Sequence, residues 1–167
     1  MTIMTMENIE RASIRRTVLV YAICILIPLI GGGISAYLSN EAMLNYNQAI
    51  KPPFAPPAWV FPVAWSILYT LMGIFSARIY LSDSFIKKEI LTIYAIHLII
   101  NFSWSIIYFN FSLYWIAFTW ILGLIIAIVT MMNLSKKIDT IALYCMVPYL
   151  LWCIFAGYLN FMTAMLN

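Results

Sequence analysis

The chain has 167 residues, of which 65% are apolar, 16% aromatic and 9% charged. A soluble domain carries about 25% charged residues to solvate its surface, and a disordered chain is poor in apolar ones, so both are excluded. The net charge of +3 calls for no nucleic-acid partner, because basic residues beside apolar helices set orientation in a membrane.

Four stretches without charge, residues 17–40, 52–77, 90–135 and 140–167, each exceed the roughly 20 residues that cross about 30 Å of hydrocarbon. The third is long enough for two crossings, with Asn110-Phe111-Ser112 as the hinge. These runs are apolar on every face, unlike the alternating strands of a membrane barrel. The expectation is an all-α membrane protein, one five-transmembrane-helix bundle over 1–167 with helices near 18–38, 59–80, 90–109, 113–134 and 141–165.

The first helix follows Arg11, Arg15 and Arg16. Arg15-Arg16 before an apolar run also fits a signal peptide cut within the small residues Gly31 to Ala36, but the run is long enough to span. The 39–58 loop ends in Lys51-Pro52-Pro53-Phe54-Ala55-Pro56-Pro57-Ala58, followed by Trp59. Its prolines fix φ and remove donors, which predicts a stiff, extended cover: a connector, a polyproline ligand for a partner, or a lid. In helix two, Trp65, Tyr69 and Gly73 share a face, and Gly73 with Ala77 forms a small pair that lets helices approach, within the bundle or between subunits. In helix three, His97, Asn101, Trp104 or Ser105, and Tyr108 do the same, and in helix five so do Cys145, Tyr149, Trp152, Ala156 and Asn160.

Counting basic residues by side orients the bundle. Arg11, Arg15, Arg16, Arg78, Lys87, Lys88, Lys136 and Lys137 fall on one side and only Lys51 on the other. Positive residues stay in the cytoplasm during insertion, so the N-terminus is expected there, with the first loop and the C-terminus outside, in a cell membrane. No charge falls at the centre of a predicted span, which disfavours an ion-driven pump. The chain has no phosphate loop, and His97 is its only histidine, so hydrolytic triads are out. His97 reads as a polar core residue before it reads as a haem ligand, and Cys24, Cys145 and Cys153 have no metal-ligand spacing. Trp59 and Trp115 suit an interfacial belt. Trp120 reads as lipid-facing or core, and Trp65 and Trp152 lie deeper, where their indole N–H groups need a partner or a ligand.

Tyr46, Lys51-Pro52, Pro56-Pro57, Trp59, Trp65, Leu68-Tyr69 and Met72-Gly73 stand in an order and spacing that resembles the translocator protein family, the tryptophan-rich sensory proteins or peripheral-type benzodiazepine receptors. Helix three adds Asn101, Trp104 and Tyr108-Phe109, and helix five Pro148-Tyr149-Leu150-Leu151-Trp152, Phe155-Ala156 and Leu159-Asn160. The sequence departs from the family at Asn45 and Phe54, where tryptophan is usual, and near Thr119-Trp120, where an acid is often found. The resemblance implies a receptor or carrier binding porphyrins of the protoporphyrin IX type, in tetrapyrrole sensing, transport or stress regulation, with membrane lipid and a second copy of the chain as partners. It implies a ligand site of Tyr46, Trp65, Tyr69, Asn101, Trp104, Ser105, Tyr149, Trp152 and Ala156, above which the lid reading of the stiff loop takes in Lys51, Pro52, Pro56, Pro57 and Trp59. No resident cofactor or metal is called for. An alternative is light- or oxygen-dependent degradation of the bound porphyrin with Trp65 and Trp152 as redox-active side chains, although no acid-base residue demands an enzyme. A structural or interaction role is the third reading.

Overall fold

The structure, a computed structural model, describes residues 2–40, 42 and 52–167. They form five helices and no strand: α1 (Thr2–Leu38), α2 (Val60–Leu81), α3 (Lys87–Ser105), α4 (Tyr114–Ser135) and α5 (Thr140–Leu166). All five are long and apolar enough to cross a membrane. α1 begins well before the apolar run expected from residue 18. Residues 6–16 are exposed and hold an Arg11 to Glu7 ion pair one turn apart, the kind of pair that supports a solvated helix.

Around the bundle the helices run α1, α2, α5, α4, α3 and back to α1. Glycine sets the closest approach. A Cβ on Gly73 would lie 2.4 Å from Ile25 Cα and 2.8 Å from Cys24 O, so α1 and α2 meet at backbone distance. Ala77 is fully buried beside it in the core. This small pair is therefore taken up inside the bundle and is not left free for a second subunit.

α3 ends in a turn of π-helix, Ile106–Asn110, closed by Phe111 N donating to Ile106 O and Leu113 N to Ile107 O. The chain then reverses through Ser112 at φ 53, at the expected hinge. Asn110 Nδ2 donates to Leu38 O at 3.0 Å and so ties the end of α3 to the open carbonyls of α1. At the far end, Asp139 caps α5 through Ala142 N at 2.9 Å and receives Arg78 of α2 at 2.8 Å. The two ends are called the loop end and the Arg78 end below.

Candidate functional site

At the loop end, where α1 finishes, α2 starts and α3 finishes, lies a cavity of 270 Å³. Its walls are Gly32, Ser35 and Ala36 of α1, Ala58 before α2, Phe61, Pro62, Trp65 and Tyr69 of α2, Asn101, Trp104 and Ser105 of α3, and Phe109 of the π turn. Five residues expected in a ligand site, Trp65, Tyr69, Asn101, Trp104 and Ser105, are thus brought together. No charged side chain is among the described lining residues.

The rings are held by their polar tips. Trp65 stacks on Tyr69 with centroids 5.2 Å apart. Tyr69 OH donates to Asn101 Oδ1 at 2.9 Å, Asn101 Nδ2 donates to Tyr149 OH at 2.9 Å, and Tyr149 OH lies 2.8 Å from His97 Nε2. This chain links α2, α3 and α5 below the cavity floor, and every member buries a polar group that would be costly alone. His97, fully buried and bonded to Tyr149, is the polar core residue and not a ligand-facing one. Trp104 Nε1 donates to Asn160 Oδ1 at 3.1 Å, and Tyr108 OH donates to Thr163 Oγ1 at 3.1 Å. Neither Trp65 nor Trp152 donates its indole N–H to any described residue.

Helix five stands further off than its face suggested. Tyr149 lies under the floor as the hub of the network. Trp152 sits behind Trp65, edge-on at 6.4 Å, and lines a separate groove on the outside of α2 and α5. Ala156 borders a void of only 10 Å³ with Trp65, Asn101 and Trp104. Tyr108 turns into the core and Phe109 reaches the cavity instead, where the π turn departs from α-helical spacing.

The α1 wall was not expected. Its signal is the small run Gly31 to Ala36, which reads equally as a cleavage site. In the fold a Cβ on Gly32 would lie 2.0 Å from the Tyr69 ring. Ser35 Oγ donates to Phe102 O at 2.5 Å and lies 2.6 Å from Ser105 Oγ, so α1 is fastened to α3 at the cavity edge.

Of the loop residues, Tyr46 and Lys51 lie outside the described part. Pro52 is buried, Pro56 half-buried, and Pro57 and Trp59 exposed. The segment is not fully extended. Ala55 N donates to Pro52 O at 3.2 Å in a turn that Phe54 allows by taking φ 63, a freedom the flanking prolines lack. Tyr158 OH of α5 donates to Pro53 O at 3.2 Å, which holds the segment against the bundle. Among the described residues no group of acids, histidines and cysteines could hold a metal.

The TspO/MBR family model matches residues 24–166. A tryptophan-rich protein TspO of Chlorobaculum tepidum is 33% identical over 156 residues, 91% of this chain and 98% of the relative. The tryptophan-rich sensory protein of Cereibacter sphaeroides is 32% identical over 122 residues, 73% of this chain and 76% of that one. The translocator protein of Bos taurus is 32% identical over 141 residues, 81% and 83% of the two chains.

Proposed function

The chain belongs to the TspO/MBR family of membrane proteins, and on that premise we propose that it is a receptor or carrier whose loop-end cavity takes a flat hydrophobic ligand of the porphyrin class. The observation that carries the reading is the Trp65 indole. It is stacked on Tyr69 in the cavity wall, with an N–H that no described residue accepts. Trp65 is half-buried in that wall, and an indole N–H left open there is a donor available to a ligand. Around it Phe61, Tyr69, Trp104 and Phe109 supply ring surface, while Ser35, Asn101 and Ser105 supply a few directional groups, the mixture typical of small-molecule sites.

At 270 Å³ the cavity is slightly smaller than the roughly 300 to 1,000 Å³ of drug-sized sites. A macrocycle would enter edge first, with its carboxylates left at the mouth beside the proline segment, since the described walls offer no charge to pair with them. The charge count supports a cytoplasmic N-terminus in a cell membrane, which puts the cavity mouth outside. Phe54→Cys should then react with an impermeant thiol reagent added to sealed cells, and Phe85→Cys should not.

The test of ligand binding is titration of protoporphyrin IX into detergent-purified protein, read by tryptophan quenching. Trp65→Leu removes the stack and the donor and should weaken binding by about tenfold or more. Binding and quenching as in the wild type would remove the cavity from the model.

A further inference from the structure

The seams around the cavity are closed in different ways. α1 and α3 are tied by the Ser35, Ser105 and Phe102 hydrogen bonds. α1 and α2 meet at backbone distance at Gly73. α3 and α5 are joined by Trp104 to Asn160 and Tyr108 to Thr163. Between α2 and α5 the polar link among described residues is Arg78 to Asp139, at the opposite end. At the loop end that seam consists of ring edges: Phe61 to Trp152 at 6.1 Å and 77°, and Trp65 to Trp152 at 6.4 Å and 80°.

Outside the seam lies an apolar groove of 440 Å³, lined chiefly by Ala64, Ile67, Leu68, Pro148, Leu151 and Trp152. Ile67 and Leu151 are exposed on the outer surface, and both helices are long and apolar enough to cross a membrane, so the groove opens to hydrocarbon. Pro148 has no N–H for Tyr144 O. α5 therefore lacks one helical hydrogen bond beside the groove, a common origin of helix bending. Trp152 faces the groove and Phe61 and Trp65 the cavity, so the contacts of Trp152 with these two rings stand between groove and cavity.

We infer that the α2–α5 seam is a lateral portal. The groove is a vestibule site where a flat hydrophobic ligand dissolved in the bilayer docks, and a swing of Trp152 admits it to the cavity without passage through water. This rests on the cavity reading above. A ligand moving from lipid into the groove exchanges one apolar contact surface for another, so it pays little desolvation cost. Moving Trp152 breaks edge contacts between rings and no hydrogen bond. A gate sets the height of the barrier and not the energies of the end states, so association and dissociation should change together.

The experiment is stopped-flow transfer of protoporphyrin IX dimethyl ester from phosphatidylcholine vesicles into proteoliposomes, followed by porphyrin fluorescence. Trp152→Ala should speed association and dissociation alike by about tenfold, and Ala64→Trp, which fills the groove from α2, should slow both by about tenfold, with Kd within about twofold of wild type in each. Faster dissociation alone in Trp152→Ala would make that ring part of the bound-state wall and overturn the portal, as would wild-type rates in Ala64→Trp. Binding with rates indifferent to both substitutions removes the portal only, whereas no binding to the wild type removes the cavity reading and the portal with it.

Discussion

The two ends of this bundle are made of the same helices and packed by different rules. Toward the Arg78 end Met72, Phe75, Ile79, Ile90, Ile128, Met131 and Met146 are fully buried in one cluster. Flexible thioethers and branched aliphatics can adapt their shape to the space between helices. At the loop end the walls are rings, two of them fixed at a polar tip: Tyr69 to Asn101 and Trp104 to Asn160. A ring pinned at its tip cannot collapse into a gap as methionine can. Gly32 and Ala36 on α1 add little volume. A cavity persists where side chains are held by direction, and closes where they are held by contact alone.

The largest break in this comparison comes from two glycines on different kinds of neighbour. Gly73→Ala places a methyl against α1 backbone, which cannot turn aside, so the helices must separate at a cost of about 3 kcal/mol or more, read as a fall in melting temperature in detergent. Gly32→Ala meets only the end of the Tyr69 side chain. To make room the ring must leave its Asn101 bond and turn into the cavity, so the melting temperature should fall, though less than in Gly73→Ala, while protoporphyrin affinity falls by about tenfold. Equal losses of stability in both would mean that the loop end is as tightly filled as the rest.

Next is Asn101→Leu, close in volume but without the amide. It strands Tyr69 OH, while Tyr149 OH keeps His97, and leaving such a group unpaired costs about 1 to 3 kcal/mol. Melting temperature and porphyrin affinity should fall together, because Tyr69 is both network member and cavity wall. A variant with normal stability and weak binding would show that the network serves the ligand and not the fold.

At the other end, burial acts to raise the Asp139 carboxyl, but the hydrogen bonds from Arg78 and from Ala142 N outweigh it and hold the group below its usual value. A depressed carboxylate contributes stability that is complete above the unfolded pKa of about 3.9 and is lost as pH falls through the lower folded value. The melting temperature should therefore be level above about pH 5 and drop below about pH 4. Asp139→Ala, which removes cap and ion pair, should cost about 2 kcal/mol, and Asp139→Asn, which can still cap, about half of that.

The five helices were legible because uncharged runs of this length have few other uses. The exposed N-terminal turns of α1 were not, since hydropathy is silent about a polar helix. Helical spacing placed Trp65 and Tyr69 on one face and Asn101 and Ser105 on another, and both faces line the cavity. The same spacing put Tyr149, Trp152 and Ala156 on one face of α5, yet it could not say that Trp65 would stand between that face and the cavity. The π turn exchanged Tyr108 for Phe109, a change that spacing rules based on 3.6 residues per turn do not anticipate. The α1 wall escaped because glycine and serine carry no chemistry of their own until Tyr69 and Ser105 arrive beside them.

The smallest expected effect concerns the mouth. The described walls carry no charge, so on the proposed reading a porphyrin's carboxylates are left at the mouth by the proline segment, which follows in sequence Lys51, the one basic residue of 39–58. An ammonium there can pair with a carboxylate, but in water such a contact contributes at most about 1 kcal/mol. Lys51→Ala should therefore speed dissociation of protoporphyrin IX by about threefold and leave that of its dimethyl ester unchanged. Because the Debye length shrinks to about 3 Å at 1 M salt, the difference between acid and ester should disappear there. The comparison isolates charge from shape, since the two ligands share the same macrocycle. Equal dissociation rates for acid and ester at low salt, in wild type and variant alike, would take the cation out of the mouth and leave retention to the rings.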